Sequence, residues 1–352
     1  MNTPDVLRQR LHNQKLSSSE LEDPADVVRW LGAVQAQDYN AAKWALGLRM
    51  RNATHARVEA AFNEGRIIRT HLLRPTWHFV APEDVRWLLE LTAPQINRRC
   101  GPNYRKFELD DAVFKRSNKV LANALRGGKH LTRAALKAAL DKAGVVIGDT
   151  VRLAHIILRA ELDGVVCSGP RIGKQFTYAL LEERVPPGKS LTREEALAEL
   201  TRRYFASHGP ASPPDFIWWS GLTATDAKRG IEIAGEQPSR ETRIPNRLDH
   251  SCHLLPAFDE YFVAYKERET IPGINSWDLL GPTIIIGGRV AGTWKQTNDR
   301  GSVTITLNPL RDLNKSEQRH VNRAAERYVE FLNLPAKIEP QKGTKGTKKA
   351  FL

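Results

Sequence analysis

Twice in the N-terminal half, apolar residues at helical spacing give way to a strand, a Gly/Pro turn and a second strand. In the first stretch Val27, Val28, Leu31 and Val34 recur as on one helix face, and AAKWALGLRM and ARVEAAFNEG read as two more helices. The chain then alternates: in IIRTHLLRPTWHFV, Trp77 and Phe79 are flanked by polar residues and Pro75 stands at a turn. In the second stretch Thr132 is placed to N-cap LTRAALKAALDKAG, which stops at Gly144, and VRLAHIILRAELDG closes at Gly164. VVCSGPRIGKQFTYALL follows as strand, turn, strand. Helices closed by a β-hairpin describe a winged helix, so two such modules are expected, at 1–105 (with a linking helix) and 106–188.

A third unit, 189–250, begins with a Thr192/Glu195 capping box and continues through DFIWWSGL and TATDAKRGIEIAG, with a less visible wing. From 251 to 340 the character changes. HLLPAFDEYFVAY, TIIIGGRVAGTW and SVTITLNPL are rich in β-branched and aromatic residues and read as strands. One late helix lies around SEQRHVNRAAERYVEFLNL, and a Lys/Gly-rich tail, 341–352, reads as mobile. The expected fold is therefore α+β: three tandem winged-helix modules and a C-terminal β-rich domain.

The charge narrows the partner. Fifty-three Lys and Arg against 40 Asp and Glu leave a formal +13, spread along the chain, which favours a polyanion such as DNA over a membrane surface. No run approaches spanning length and no apolar leader follows Met1, so a cytoplasmic, nucleoid-associated bacterial protein is expected. Three scattered cysteines form no CxxC pair and fit a reducing compartment.

Among candidate chemical groups, Gln35 and Gln37 flank Ala36 just after the first amphipathic helix. Residues i and i+2 of an extended segment share a side. A carboxamide cannot abstract a proton at neutral pH, but its carbonyl can accept a hydrogen bond and aim a water. That suffices where a leaving group is already activated, as in a purine alkylated at a ring nitrogen. Farther on, Arg69 and Arg74 can neutralise phosphates, and Thr76 and His78 can donate to them. Arg171 and Lys174 fall at the expected tip of the second wing, where side chains approach a phosphate or a groove. Three other clusters read as structural. Asp259 and Glu260, if on a strand, face opposite ways and cannot pair as acid and base. His250, Cys252 and His253 lack a fourth nearby ligand, so no metal is expected. Gly287-Gly288 reads as a hairpin turn, and Trp218 and Trp219 as core residues of a short helix.

QAQD at 35–38, RTHLLRPTWHFV at 69–80, LLPAFDEYFVAYKER at 254–268 and GRVAGTW at 288–294 together resemble the AlkZ-like DNA glycosylases, over most of the chain. The resemblance implies a glycosylase of three winged helices and a β domain, with Gln35 and Gln37 as its catalytic pair. It places the chain in the QxQ branch, since the YcaQ-like branch carries aspartate at the second position. It departs from the family at Pro75, where glycine commonly follows the arginine. The expected activity is monofunctional hydrolysis of N7-alkylpurine or cross-linked nucleotides in duplex DNA, by a monomer without cofactor, in DNA repair or self-resistance to a genotoxin. The alternatives are a non-catalytic winged-helix transcriptional regulator and a protein whose partner is another protein or a small ligand.

Overall fold

The computed structural model describes residues 3–188, 190–235, 251–266, 280–299 and 301–340. Helix α1 (Thr3–Asn13) precedes α2 (Pro24–Leu31), β1 (Val34–Gln35), α3 (Tyr39–Gly47), α4 (His55–Asn63), β2 (Ile68–Leu72) and β3 (Thr76–Val80). A long helix, α5 (Val85–Lys106), leads to α6 (Asp111–Leu125), β4 (Leu131–Thr132), α7 (Arg133–Lys142), α8 (Thr150–Leu162), β5 (Val166–Ser168), β6 (Thr177–Leu180) and α9 (Leu181–Arg184). The order helix, strand, two helices, hairpin therefore occurs twice, and the sheets are matched in order: β1-β3-β2 and β4-β6-β5. Side-chain caps begin these helices: Thr132 before α7, as expected, and also Asp23 before α2 and Thr54 before α4 each accept a backbone N–H.

The third unit contains α10 (Arg193–His208), α11 (Pro213–Ser220) and α12 (Ala224–Ala234); the positions where its wing would follow, 236–250, lie outside the described residues. Capping boxes start both α10, through Thr192 and Glu195, and α11, through Ser212 and Asp215.

The C-terminal region is a five-stranded sheet of order β11-β10-β9-β8-β7 with a short and a long helix. Its elements are β7 (Cys252–Leu255), α13 (Glu260–Val263), β8 (Thr283–Ile286), β9 (Arg289–Asp299), β10 (Ser302–Pro309), α14 (Lys315–Leu332) and β11 (Ala336–Pro340). HLLPAFDEYFVAY is thus not one strand. Phe258 takes a left-handed turn (φ 59°), and the Asp259 carboxylate accepts the Tyr261 N–H and starts a helical turn. Gly287 and Gly288 (φ 57° and 80°) make the expected hairpin turn, where positive φ suits glycine.

Two apolar cores divide the chain across its sequence order. One joins the first unit to the C-terminal sheet: Leu11, Val28, Trp44, Phe62 and Phe79 pack with Leu254, Ile284, Trp294 and Phe331. The other runs from Leu72 through α5 into the second and third units. A buried ion pair crosses the first core. All five N–H donors of Arg49 are used: two on Asp259 (2.8 and 2.9 Å), two on Gln14 and one on the Ala45 carbonyl. This fixes the position of Asp259, and with it the start of α13. Of the two adjacent tryptophans, Trp219 is in the core as expected, whereas Trp218 is 42% exposed because α11 turns that face outward. Among the described residues no group of His, Cys, Asp and Glu can hold a metal ion, and no helix is long and apolar enough to cross a membrane.

Candidate active site

Strand β1 is the short outer strand of the first sheet, with Val34 opposite Phe79 and Gln35 opposite His78. The pairing extends one residue further, where the Ala36 N–H donates to the Trp77 carbonyl at 2.7 Å. Alternation along this segment buries Val34 and Ala36 and directs Gln35 and Gln37 the other way. Gln35 is half-buried and Gln37 exposed. Asp38 then caps α3, so the pair is held between a strand and a helix start. The Trp77 N–H makes a long contact, 3.4 Å, to the Gln37 Oε1.

The β2–β3 hairpin supports this segment. Arg69 donates from Nε to the Ala36 carbonyl (2.9 Å), and its guanidinium lies 4.3 Å from the Trp77 ring centre and 4.8 Å from that of Phe176. Behind it, the buried Glu161 of α8 accepts from His71 and from the Trp77 indole. The Pro75 departure leaves the hairpin intact: Leu73 takes φ 58°, and the tip packs on Gly221, where a Cβ would stand 2.1 Å from the Leu73 carbonyl oxygen. Arg74, half-buried at that tip, donates to the Val263 carbonyl and lies over the Trp218 ring.

Three expectations do not fit these positions. His78 is fully buried, hydrogen-bonded through Nδ1 to the Thr76 carbonyl, and pushed down to about 3 by burial and by Arg74. It is neutral and has no route to a phosphate. The Thr76 hydroxyl is turned inward and buried. Arg171 does not extend from a wing tip. It pairs with Glu59 of α4 (3.3 Å), packs over Tyr39 and Phe176, and joins the second hairpin to the first unit. Lys174, by contrast, is exposed at the turn of that hairpin.

Between the two units lies a pocket of about 430 Å³ whose rim carries Arg69, Trp77, Arg133, Lys174 and Phe176. Three cations line it, and no carboxylate does among the described residues. Arg133 was not singled out from the sequence. Its signal was its place directly after the N-cap Thr132, which puts it at the first position of α7.

Under Gln35 lies a second group that sequence reading had left as structural. Glu260 is wholly buried; its Oε1 accepts the Gln35 N–H at 2.7 Å, and its Oε2 accepts the Trp219 indole N–H at 3.0 Å. The His208 Nε2 stands 3.6 Å from Oε2, an ion-pair distance too long for a hydrogen bond. Burial alone would raise the pKa of this carboxyl; His208, the Gln35 N–H and Arg74 outweigh it and hold the group below the usual carboxylate range.

Paired helix-and-hairpin units with a cationic pocket between them, and a carboxamide pair on the edge strand of the first sheet, are the architecture of a protein that handles nucleic acid. The chain belongs to the AlkZ-like DNA glycosylase family, whose sequence model matches residues 28–331. It is 24% identical to an interstrand DNA cross-link repair glycosylase of Streptomyces sahachiroi, over 91% of this chain and 95% of that protein. The solved structure of the Streptomyces sahachiroi DNA glycosylase AlkZ superposes with a TM-score of 0.76 at 21% identity, covering 96% of this chain and 99% of that one. The mixed helix-and-sheet fold expected from the sequence is the fold of that structure.

Proposed function

We propose that this protein hydrolyses the N-glycosidic bond of N7-alkylated purines in duplex DNA, interstrand cross-links included, and leaves an abasic site. The observation that carries the reading is the shared side of Gln35 and Gln37, one half-buried and one exposed, on an edge strand whose backbone Arg69 and the Trp77 carbonyl hold in place. Gln37 orients the attacking water through its carbonyl. Gln35 supports it and offers its amide dipole to the positive charge that develops on the sugar.

The water oxygen bonds to the anomeric carbon as the bond from that carbon to the base nitrogen breaks. The bonding pair neutralises the cationic base, and the water's extra proton passes to solvent. No general acid is required for a leaving group already charged. Lys43, the one lysine close in sequence to the pair, is buried and bonded to Glu59 (2.6 Å). Its amine is occupied there, which fits a water as the nucleophile. Arg69 holds the backbone of the pair, and Arg133 and Lys174 take the phosphates of the passing strand.

The test is duplex DNA bearing N7-methylguanine, incubated with protein and then treated with alkali. Strand cleavage is expected from the wild type and a loss of about 100-fold or more from Gln37→Ala, with DNA binding retained. Cleavage undiminished in that variant removes the site assignment. Binding without any cleavage by the wild type would return the protein to the regulator class.

A further inference from the structure

We propose that Glu260 is a positioning residue for the glutamine pair: its buried negative charge holds the strand carrying Gln35 and Gln37 and favours positive charge at the reacting sugar. This rests on the function proposed above.

Glu260 joins three parts of the chain. It stands on α13 of the C-terminal region, accepts from the backbone of β1 in the first unit, and accepts from Trp219 of α11 in the third. The Gln35 peptide therefore cannot shift without breaking a bond to a group that is itself fixed from two sides. The adjacent Asp259 sets the register of α13 through its bidentate bond to Arg49.

The charge itself needs a reason. Burying a carboxylate is expensive unless a cation neutralises it closely. Asp259, one residue away, has a guanidinium at 2.8 Å; Glu260 has the 3.6 Å contact to His208. Two N–H donors can be satisfied by neutral acceptors at lower desolvation cost. The donors and cations around Glu260 nevertheless outweigh that penalty and keep it ionised, so a full negative charge stands directly under the backbone of the reacting pair. That charge favours an oxocarbenium-like cation forming above it, in surroundings that screen poorly.

Glu260→Gln keeps the shape and removes the charge; Glu260→Asp keeps the charge and shortens the reach by one methylene. Three quantities distinguish the roles: the single-turnover rate of N7-methylguanine excision at saturating protein, the Kd for an undamaged duplex, and the thermal midpoint. The expected order of rates is wild type, then Glu260→Asp, then Glu260→Gln. The Gln variant should lose about 10- to 100-fold with Kd within about twofold. A purely structural role predicts the reverse order, because the isosteric amide disturbs packing less. A folded Glu260→Gln within twofold of the wild-type rate, or the reversed order, overturns the proposal. Should Glu260→Gln not fold, Glu260→Asp decides alone: a lowered rate at unchanged Kd supports the role, and a wild-type rate overturns it. Wild-type protein inactive on this duplex defeats the underlying function instead.

Discussion

Asp259→Ala tests whether the first unit and the C-terminal sheet are locked by one ion pair. Both Arg49 and Asp259 are fully buried, and the carboxylate takes two of the five donors of the guanidinium. Unit charges about 4 Å apart at an effective dielectric of ~20 attract by about 4 kcal/mol. Removing one partner of such a pair leaves an uncompensated buried cation and costs about 3–5 kcal/mol. The substitution also deletes the N-cap bond to Tyr261, worth about 1 kcal/mol. The expected loss is therefore about 4–6 kcal/mol, a large part of the 5–15 kcal/mol typical of folded domains. The assay is urea unfolding followed by tryptophan fluorescence, read on the transition reported by Trp44 and Trp294, which share the affected core. The double variant Arg49→Met/Asp259→Ala removes the stranded charge and should recover about 1–3 kcal/mol. A loss below about 1 kcal/mol in the single variant, or a double variant no more stable than the single, would refute the assignment of this pair as the lock.

Two further outcomes follow from the same structure. Arg133→Ala and Lys174→Ala should each weaken duplex binding and flatten the dependence of log Kd on log salt by about 0.9; Lys137→Ala, paired with Asp141 on α7 and outside the pocket, is the control expected to change nothing. Acid should destabilise the protein before its carboxylates protonate. The folded-state pKa values of His78 and His253 are both pushed down to about 3 from an ordinary 6.5, chiefly by burial. Their stabilising contribution is present above 6.5 and is lost as pH falls towards 3, about 2 kcal/mol per histidine between pH 7 and pH 5. The thermal midpoint at pH 5 should fall accordingly, and His78→Gln should relieve part of the drop; an undiminished drop in that variant counts against the burial of His78 in solution.

Much of the helical layout was legible because caps and periodicity are local. Thr132, the Thr192/Glu195 box and the Pro75 turn are satisfied by neighbours within a few residues, so short sequence windows carry them. The side shared by Gln35 and Gln37 was equally local, being the alternation of an extended segment. Phe258–Glu260 misled for the same reason: its aromatic surroundings resemble a strand, while the helical turn there is set by Asp259 answering Arg49, 210 residues away. Arg171 and His78 were read as free donors because nothing nearby in sequence announces Glu59 or the burial of β3.

The sequence by itself determined the mixed helix-and-sheet class, several helix starts and the presence of a carboxamide pair in a cationic chain, since capping, period and charge act over a few bonds or add up along the chain. Tertiary structure alone decided which charges remain available to a ligand. Arg171 is consumed by an ion pair, Arg133 is turned into a pocket, and Glu260 is placed under Gln35, because desolvation and pairing depend on what packs against a side chain and not on what precedes it.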